Sequence, residues 1–262
     1  MARSLLIVAC LLFLVGCGSE ADYAQSSPEE LFESARLMVE NEDYERLHEL
    51  LWTDDPRERA VYLRMGQSLG AVGGLAEAVG EAFPKDVEAL KRGEGAEGLL
   101  GSLLGGRRGA GGRGGGGRAF FRNVMSAMVS DPYGFLERSE GRLSAAVLSD
   151  TRAAVLWDGE GVLPPLGVLL REEGGFWYVE PPINSPLTLR YRPQSDEEFA
   201  ILGYLFDCLT SAAEELEAEV RRGRYRSIED LAQQAGRKSF VPVGMCFFAY
   251  MQALEARDQD GA

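Results

Sequence analysis

The sequence predicts an α+β fold of N-terminal helices, an antiparallel four-stranded meander and a helical C-terminal region. Three observations predict it. Apolar residues recur at helical spacing from Leu31 to Val72. Between Leu143 and Glu180 the apolar period drops to two, broken by short Gly- and Asp-containing turns. Helical spacing then returns from Phe199 to Val220.

The first helix starts at Ser27-Pro28-Glu29-Glu30. Ser27 suits the cap, Pro28 the first helical position, and Glu30 completes a capping box. Leu31, Ala35, Met38 and Val39 form its stripe, and Asn41 ends it. A second helix is expected with Tyr44, Leu47, His48 and Leu51 on one face. Asp55-Pro56-Arg57-Glu58 repeats the start signal, and Val61, Tyr62, Met65, Leu69 and Val72 form the next stripe. Gly73-Gly74 is expected to interrupt it, with weaker helical segments at 75–83 and 87–91.

Residues 105–118, GGRRGAGGRGGGGR, lack the side chains to build a core and read as part of a flexible, disordered insert near 93–118. Helix is expected to resume at 120–128, with a turn at Asp131-Pro132-Tyr133-Gly134. The four strands follow. Leu143, Ala145 and Val147 alternate in the first, Ala153, Val155 and Trp157 in the second, and Leu166, Val168 and Leu170 in the third. In the fourth, Trp177 and Val179 share one face and Phe176, Tyr178 and Glu180 the other. Residues 187–191 are expected to add a short edge strand. The helix over 195–223 carries a Ser195–Glu198 capping box, a basic last turn and a terminal Gly223. Two further helices are expected, at 228–235 and 244–256.

The N-terminus carries an address. Arg3 precedes an apolar run of 11 residues, Leu5 to Val15. That is too short to span a bilayer, which takes ~20 apolar residues, and suits a signal-peptide core. The run ends Leu14-Val15-Gly16-Cys17 and turns polar at once. This stretch resembles the bacterial lipobox. The resemblance implies a signal peptide over 1–16, a diacylglyceryl group on the Cys17 thiol, cleavage before Cys17, and a lipidated tether over 17–26. Gly18 and Ser19 where an Asp would signal inner-membrane retention imply an outer-membrane lipoprotein facing the periplasm. The expected location is therefore the cell envelope, with the membrane as partner through the N-terminal lipid.

The chain carries a net charge of −14, one unit more negative once Arg3 leaves with the signal. So acidic a body argues against nucleic-acid binding, despite the Arg-Gly insert. Beyond Cys10 and Cys17, two cysteines remain, Cys208 and Cys246. An even pair in an oxidising compartment invites a disulfide; two buried free thiols are the alternative.

The segments LLREEGGFWYVEPP (169–182) and VENEDYERLHELLW (39–52) are similar to the last hairpin and second helix of the NTF2-like, SnoaL-type α+β cone superfamily. The resemblance implies one domain over 27–182, in which long N-terminal helices pack on a curved antiparallel four-stranded meander. The Gly-rich insert and a helical C-terminal region over 183–262 lie outside that pattern.

Chemistry is constrained by what is missing. His48 is the one histidine, so a multi-histidine zinc site is excluded. There is no CxxC pair, no phosphate-binding Gly-Lys-Ser/Thr loop and no nucleophile elbow, so no cofactor, metal or catalytic residue is assigned. Acidic pairs such as Asp54-Asp55 and Glu172-Glu173 fall in caps and turns. The candidate pocket residues are His48, Trp52, Trp157 and Trp177. His48 reads either as a general base in the mouth of a cone or as a half-buried helix residue, and the tryptophans as pocket walls or core. The expectation is a non-catalytic module that binds an envelope protein or a small ligand. The alternative is an NTF2-like isomerase or hydrolase using a pocket carboxylate or His48.

Cys17→Ser removes the sulfur that the lipid needs. It is expected to abolish metabolic palmitate labelling and release the protein from the membrane fraction; equal labelling of variant and wild type would refute the lipobox reading.

Overall fold

The computed structural model describes residues 23–91, 141–162, 167–181 and 188–260. The signal peptide, Cys17, the insert near 93–118 and the segments expected at 120–128 and 131–134 lie outside the described residues.

In chain order come α1 (Pro28–Glu40), a 3-10 helix (Tyr44–Leu50), α2 (Pro56–Ala82) and α3 (Pro84–Lys91). Strands β1 (Leu143–Ser149), β2 (Arg152–Trp157), β3 (Glu160–Gly161), β4 (Leu169–Glu173) and β5 (Phe176–Glu180) follow. A 3-10 turn (Leu189–Tyr191), α4 (Asp196–Arg221) and α5 (Ile228–Asp260) complete the chain. The fold is α+β, and the meander is antiparallel in the order β1-β2-β4-β5, with the two-residue β3 paired to β2.

The caps form where the sequence signals them. Ser27 accepts a hydrogen bond from the Glu30 N–H (3.1 Å), but Glu30 reaches back to the Ser26 N–H (2.9 Å), one residue earlier than in a capping box. Asp55 accepts from the Arg57 N–H (2.8 Å). Ser195 and Glu198 form the full reciprocal box. Gly223 takes the left-handed conformation, φ +67°, after the last turn of α4.

Leu31 and Met38 of α1 press on Ala153, Val155, Leu170 and Trp177 of the sheet, with Tyr23 and Leu50 closing the cluster. The folded body begins earlier than the expected tether end at 26. Tyr23 is buried and its hydroxyl donates to Asp43, while the Trp177 N–H donates to the Gln25 carbonyl (2.6 Å). On the same free edge of β5 the Trp52 N–H donates to the Val179 carbonyl (2.9 Å), and Leu51 bridges Val179 in parallel. Chain segments on either side of α1 thus cover an edge that would otherwise template aggregation.

α2, α4 and α5 make a second layer. Arg57 reaches Asp196 (2.9 Å) at one end of α2, and Arg221 reaches Glu77 and Glu81 at the other, so α2 and α4 run parallel. α5 returns antiparallel to α4, with Lys238 on Glu219 (2.8 Å) and Arg257 on Glu198 (2.9 Å). Ala78, Leu216, Val220 and Leu231 form its core. α2 packs most extensively on α4. The packing therefore crosses the division expected after residue 182, because α2 turns its long face to the C-terminal helices and not to the sheet.

Four expectations change. Gly73-Gly74 does not interrupt α2, which runs unbroken for 27 residues. Its glycines are the places where neighbours come closest: a Cβ on Gly66 would strike the Glu45 carbonyl, and one on Gly73 the Tyr44 ring. Leu69 and Val72, expected in the buried stripe, are exposed because that glycine face takes the 3-10 helix instead. Residues 189–191 form a 3-10 turn, not an edge strand, since β5 already has its edge partners. The two helices expected at 228–235 and 244–256 are one helix of 33 residues that runs through Pro242, held to α4 on both sides of the proline.

Two outcomes follow from this packing. Gly66→Ala is expected to destabilise by about 1–3 kcal/mol, since backbone cannot yield to the new methyl. Gly80→Ala, with open space around its Cβ, is expected to stabilise by about 0.5–1 kcal/mol. Urea denaturation of the two variants checks this, and a stabilised Gly66→Ala would overturn it.

Glu219 is buried, and Lys238, with Tyr225 and Arg224, holds its carboxyl down at about 2. Its folded value lies below the unfolded one, so its contribution is present above the ordinary carboxylate range and lost as pH falls toward 2. Glu219→Gln is expected to lower the urea midpoint at pH 7 and to lose less between pH 5 and 2 than the wild type. Parallel acid profiles would refute the assignment.

Candidate functional site

A cleft of about 340 Å³ opens where the two layers meet. The end of the 3-10 helix contributes His48 and Glu49, and the extended link after it contributes Leu51, Trp52 and Thr53. Arg59 and Tyr62, three apart on α2, form the opposite wall. Glu173 of β4 and Tyr178 of β5 close the sheet side. Arg171 pairs with Tyr178 across the strands, and strand alternation puts Arg171, Glu173 and Tyr178 on the sheet face opposite Leu170 and Trp177.

Local pairing fixes these side chains. The Arg171 guanidinium lies over the Trp52 ring, 3.8 Å from its centroid, and donates to Glu173 (3.0 Å). Such stacking contributes roughly 0.5–1 kcal/mol at an exposed site and sets the ring plane. His48 Nδ1 donates to the Glu45 carbonyl (2.6 Å) above Gly66, which leaves Nε2 outside that bond. Arg59 donates to the Thr53 carbonyl (3.3 Å).

Behind the cleft lies a buried carboxylate. Glu58 is 3% exposed and accepts from the Thr53 hydroxyl (2.5 Å) and from Arg192 (3.1 Å). Burial pushes the Tyr62 phenol well above its ordinary value, and the negative charge of Glu58 beside it adds to the push. The buried Tyr62 oxygen still lacks a hydrogen-bond partner of good geometry. The phenol therefore stays neutral throughout the physiological range and keeps a proton to donate.

The structure brings His48 and Trp52 together in this cleft and leaves the other two candidates elsewhere. Trp177 is buried against α1, because its β5 position faces the inner side of the sheet. Trp157 sits at the far end of β2, under the Arg142 guanidinium at 4.7 Å. Cys208 and Cys246 are free thiols on α4 and α5, away from the cleft. Sequence reasoning missed Arg59, Tyr62, Glu173 and Tyr178. The i,i+3 spacing of Arg59 and Tyr62 could have grouped those two, but nothing in the sequence joins α2 to the outer sheet face.

The inner face of the sheet, where a cone-shaped fold would hold its pocket, is filled by Leu31, Met38, Leu50, Leu170 and Trp177. The hydrogen-bond partner of His48 Nδ1 is a backbone carbonyl; among the described residues no cluster of three metal-ligating side chains occurs, and no helix is long and apolar enough to cross a membrane. Compared with known proteins, the chain matches no family model, no curated protein and no solved structure.

Proposed function

We propose that the protein is a lipid-anchored component of the cell envelope whose body is a non-catalytic binding module. The cleft between Trp52 and Tyr62 is the binding site in this reading, and it is the observation that carries it. Its volume falls at the small end of the range typical of ligand sites. Its walls combine aromatic rings with both signs of charge: Arg59 on one part, Glu49 and Glu173 on another, with the His48 ring beside them. That mixture suits a small polar molecule with one apolar face, or a polar side chain of an envelope partner, better than a purely apolar ligand.

The anchor supports the reading by geometry. Five residues lie between Cys17 and the buried Tyr23, and the six residue steps of a fully extended chain span about 20 Å. A lipid on Cys17 therefore keeps the body close to the bilayer surface, within reach of envelope components. The catalytic alternative would use His48 or a pocket carboxylate as a base. Glu58 already has Thr53 and Arg192 as partners, so the carboxylates that line the cleft for such a step are Glu49 and Glu173.

A thermal-shift panel of saccharides and short peptides tests the cleft. A ligand present at a hundred times its Kd stabilises by about 2.7 kcal/mol, a rise of roughly 5–10 °C for a body of this size. Trp52→Ala and Arg59→Ala are expected to abolish the rise while leaving the unliganded melting point within a few degrees of wild type. A ligand that stabilises the variants as well as the wild type would place its site elsewhere.

A further inference from the structure

Cys208 and Cys246 stand on helices that pack antiparallel along their length. Cys208 is half-buried on α4, and Cys246 is 5% exposed on α5. The ion pairs Glu219–Lys238 and Glu198–Arg257 set an antiparallel register that brings Cys208 within a turn of the level of Cys246, and the Cys208 thiol helps to raise that of Cys246; the exposed Tyr204 lies one turn before Cys208. The pair is thus already side by side, with one member open to water and the other shielded.

Their setting on α5 gives the pair a purpose. Pro242, four residues before Cys246, has no N–H, so the Lys238 carbonyl loses its helical partner. Among the residues whose burial is described, Cys246 is the one buried side chain between Ala232 and Leu254. Val241, Met245, Phe247 and Phe248 around it are all exposed. Ion pairs clamp α5 to α4 on both sides of this stretch, at Lys238–Glu219 and Arg257–Glu198. Its middle rests on the contact at Cys246.

We propose that Cys208 and Cys246 form an intrachain disulfide that staples the middle of α5 to α4, with Cys208 as the entry thiol and Cys246 as the resolving thiol. The co-reactant is a protein or small-molecule disulfide, and an oxidising envelope compartment would supply it. The Cys208 thiolate attacks one sulfur of the incoming disulfide, forms a mixed disulfide and releases the other sulfur as a thiolate. The Cys246 thiolate then attacks Cys208 Sγ and releases the second thiolate. Two protons and two electrons leave the cysteine pair, and the incoming disulfide becomes two thiols. Cys246 is suited to the second step only: burial and the adjacent Cys208 raise its thiol above the ordinary value, so it holds little thiolate until a mixed disulfide forms beside it.

The test incubates the full chain with oxidised glutathione and maps each thiol by peptide mass spectrometry after alkylation under denaturing conditions. In the wild type the Cys208 and Cys246 peptides are expected to appear joined, with no glutathione retained on either. Cys246→Ala is expected to hold one glutathione on Cys208, and Cys208→Ala to leave Cys246 reduced. Oxidation of the wild type is expected to raise its melting temperature by about 5–10 °C, and reductant to reverse the rise. A stable glutathione adduct on wild-type Cys208 would overturn the proposal. So would two thiols that still alkylate, or a bond between two chains.

Discussion

The close approach of the 3-10 helix to α2 is the contact on which the rest of the arrangement depends. Gly66, Gly70 and Gly73 recur at four- and three-residue spacing and present bare backbone on one face of α2. Glu45 sits over Gly66 and Gly70, and Tyr44 sits over Gly73. Each glycine costs roughly 0.5–1 kcal/mol relative to alanine in a helix interior, and only tertiary packing can offset that. The contact fixes the angle between α2 and the chain that leads from α1. It thereby sets how far His48 and Trp52 stand from Arg59 and Tyr62. The cleft is the gap left over once that approach has been made.

Carboxylates then hold the helical layer in register. Glu58, Glu198 and Glu219 are all buried, and each takes a cation from a distant part of the chain: Arg192, Arg257 and Lys238. Arg257 also donates to the Arg190 and Arg192 carbonyls, so one guanidinium ties the end of α5 to the 3-10 turn and to the start of α4. Burying a charge pair gains little over an apolar pair of the same shape, but leaving one partner alone is costly. Such pairs act mainly by penalising slipped registers. That role matters for long parallel and antiparallel helices with small cores, in which apolar contacts alone would tolerate a shift by one turn.

Local signals were legible in the sequence, and long-range ones were not. The caps at Ser27, Asp55 and Ser195, the stop at Gly223 and the alternation of the strands all depend on residues within a few positions of one another, and the structure carries them. The glycine pair Gly73-Gly74 misled, and so did the gap left between the helices expected at 228–235 and 244–256, where the structure runs one helix through Pro242. In both places a neighbouring element supplied what the local chain lacked: the Tyr44 ring over bare backbone in the first, and α4 clamps on either side in the second. Trp52 and Trp177 show the limit for the site. Both are aromatic residues near strands, yet one lines the cleft and the other fills the core, a difference set by which sheet face each meets. Spacing along the chain reports only alternation, not which face a distant α1 will cover.

The position of the cleft follows from the size of the sheet residues. The inner face carries Ala145 and Ala153 beside Val155 and Leu170, and small side chains let α1 settle close enough for Leu31 and Met38 to fill the space. Ala153 and Met38 are both 0% exposed. Among the described residues, apolar side chains fill that face. The outer face is different in kind. Arg171, Glu173 and Tyr178 are long and polar, and they stand away from the α2 wall because charged and hydroxyl groups must reach solvent or a partner. A concave seam lined by such groups cannot close on itself without stranding them. It stays open, with the Tyr62 oxygen at its base beside Glu58 but without a hydrogen bond of good geometry.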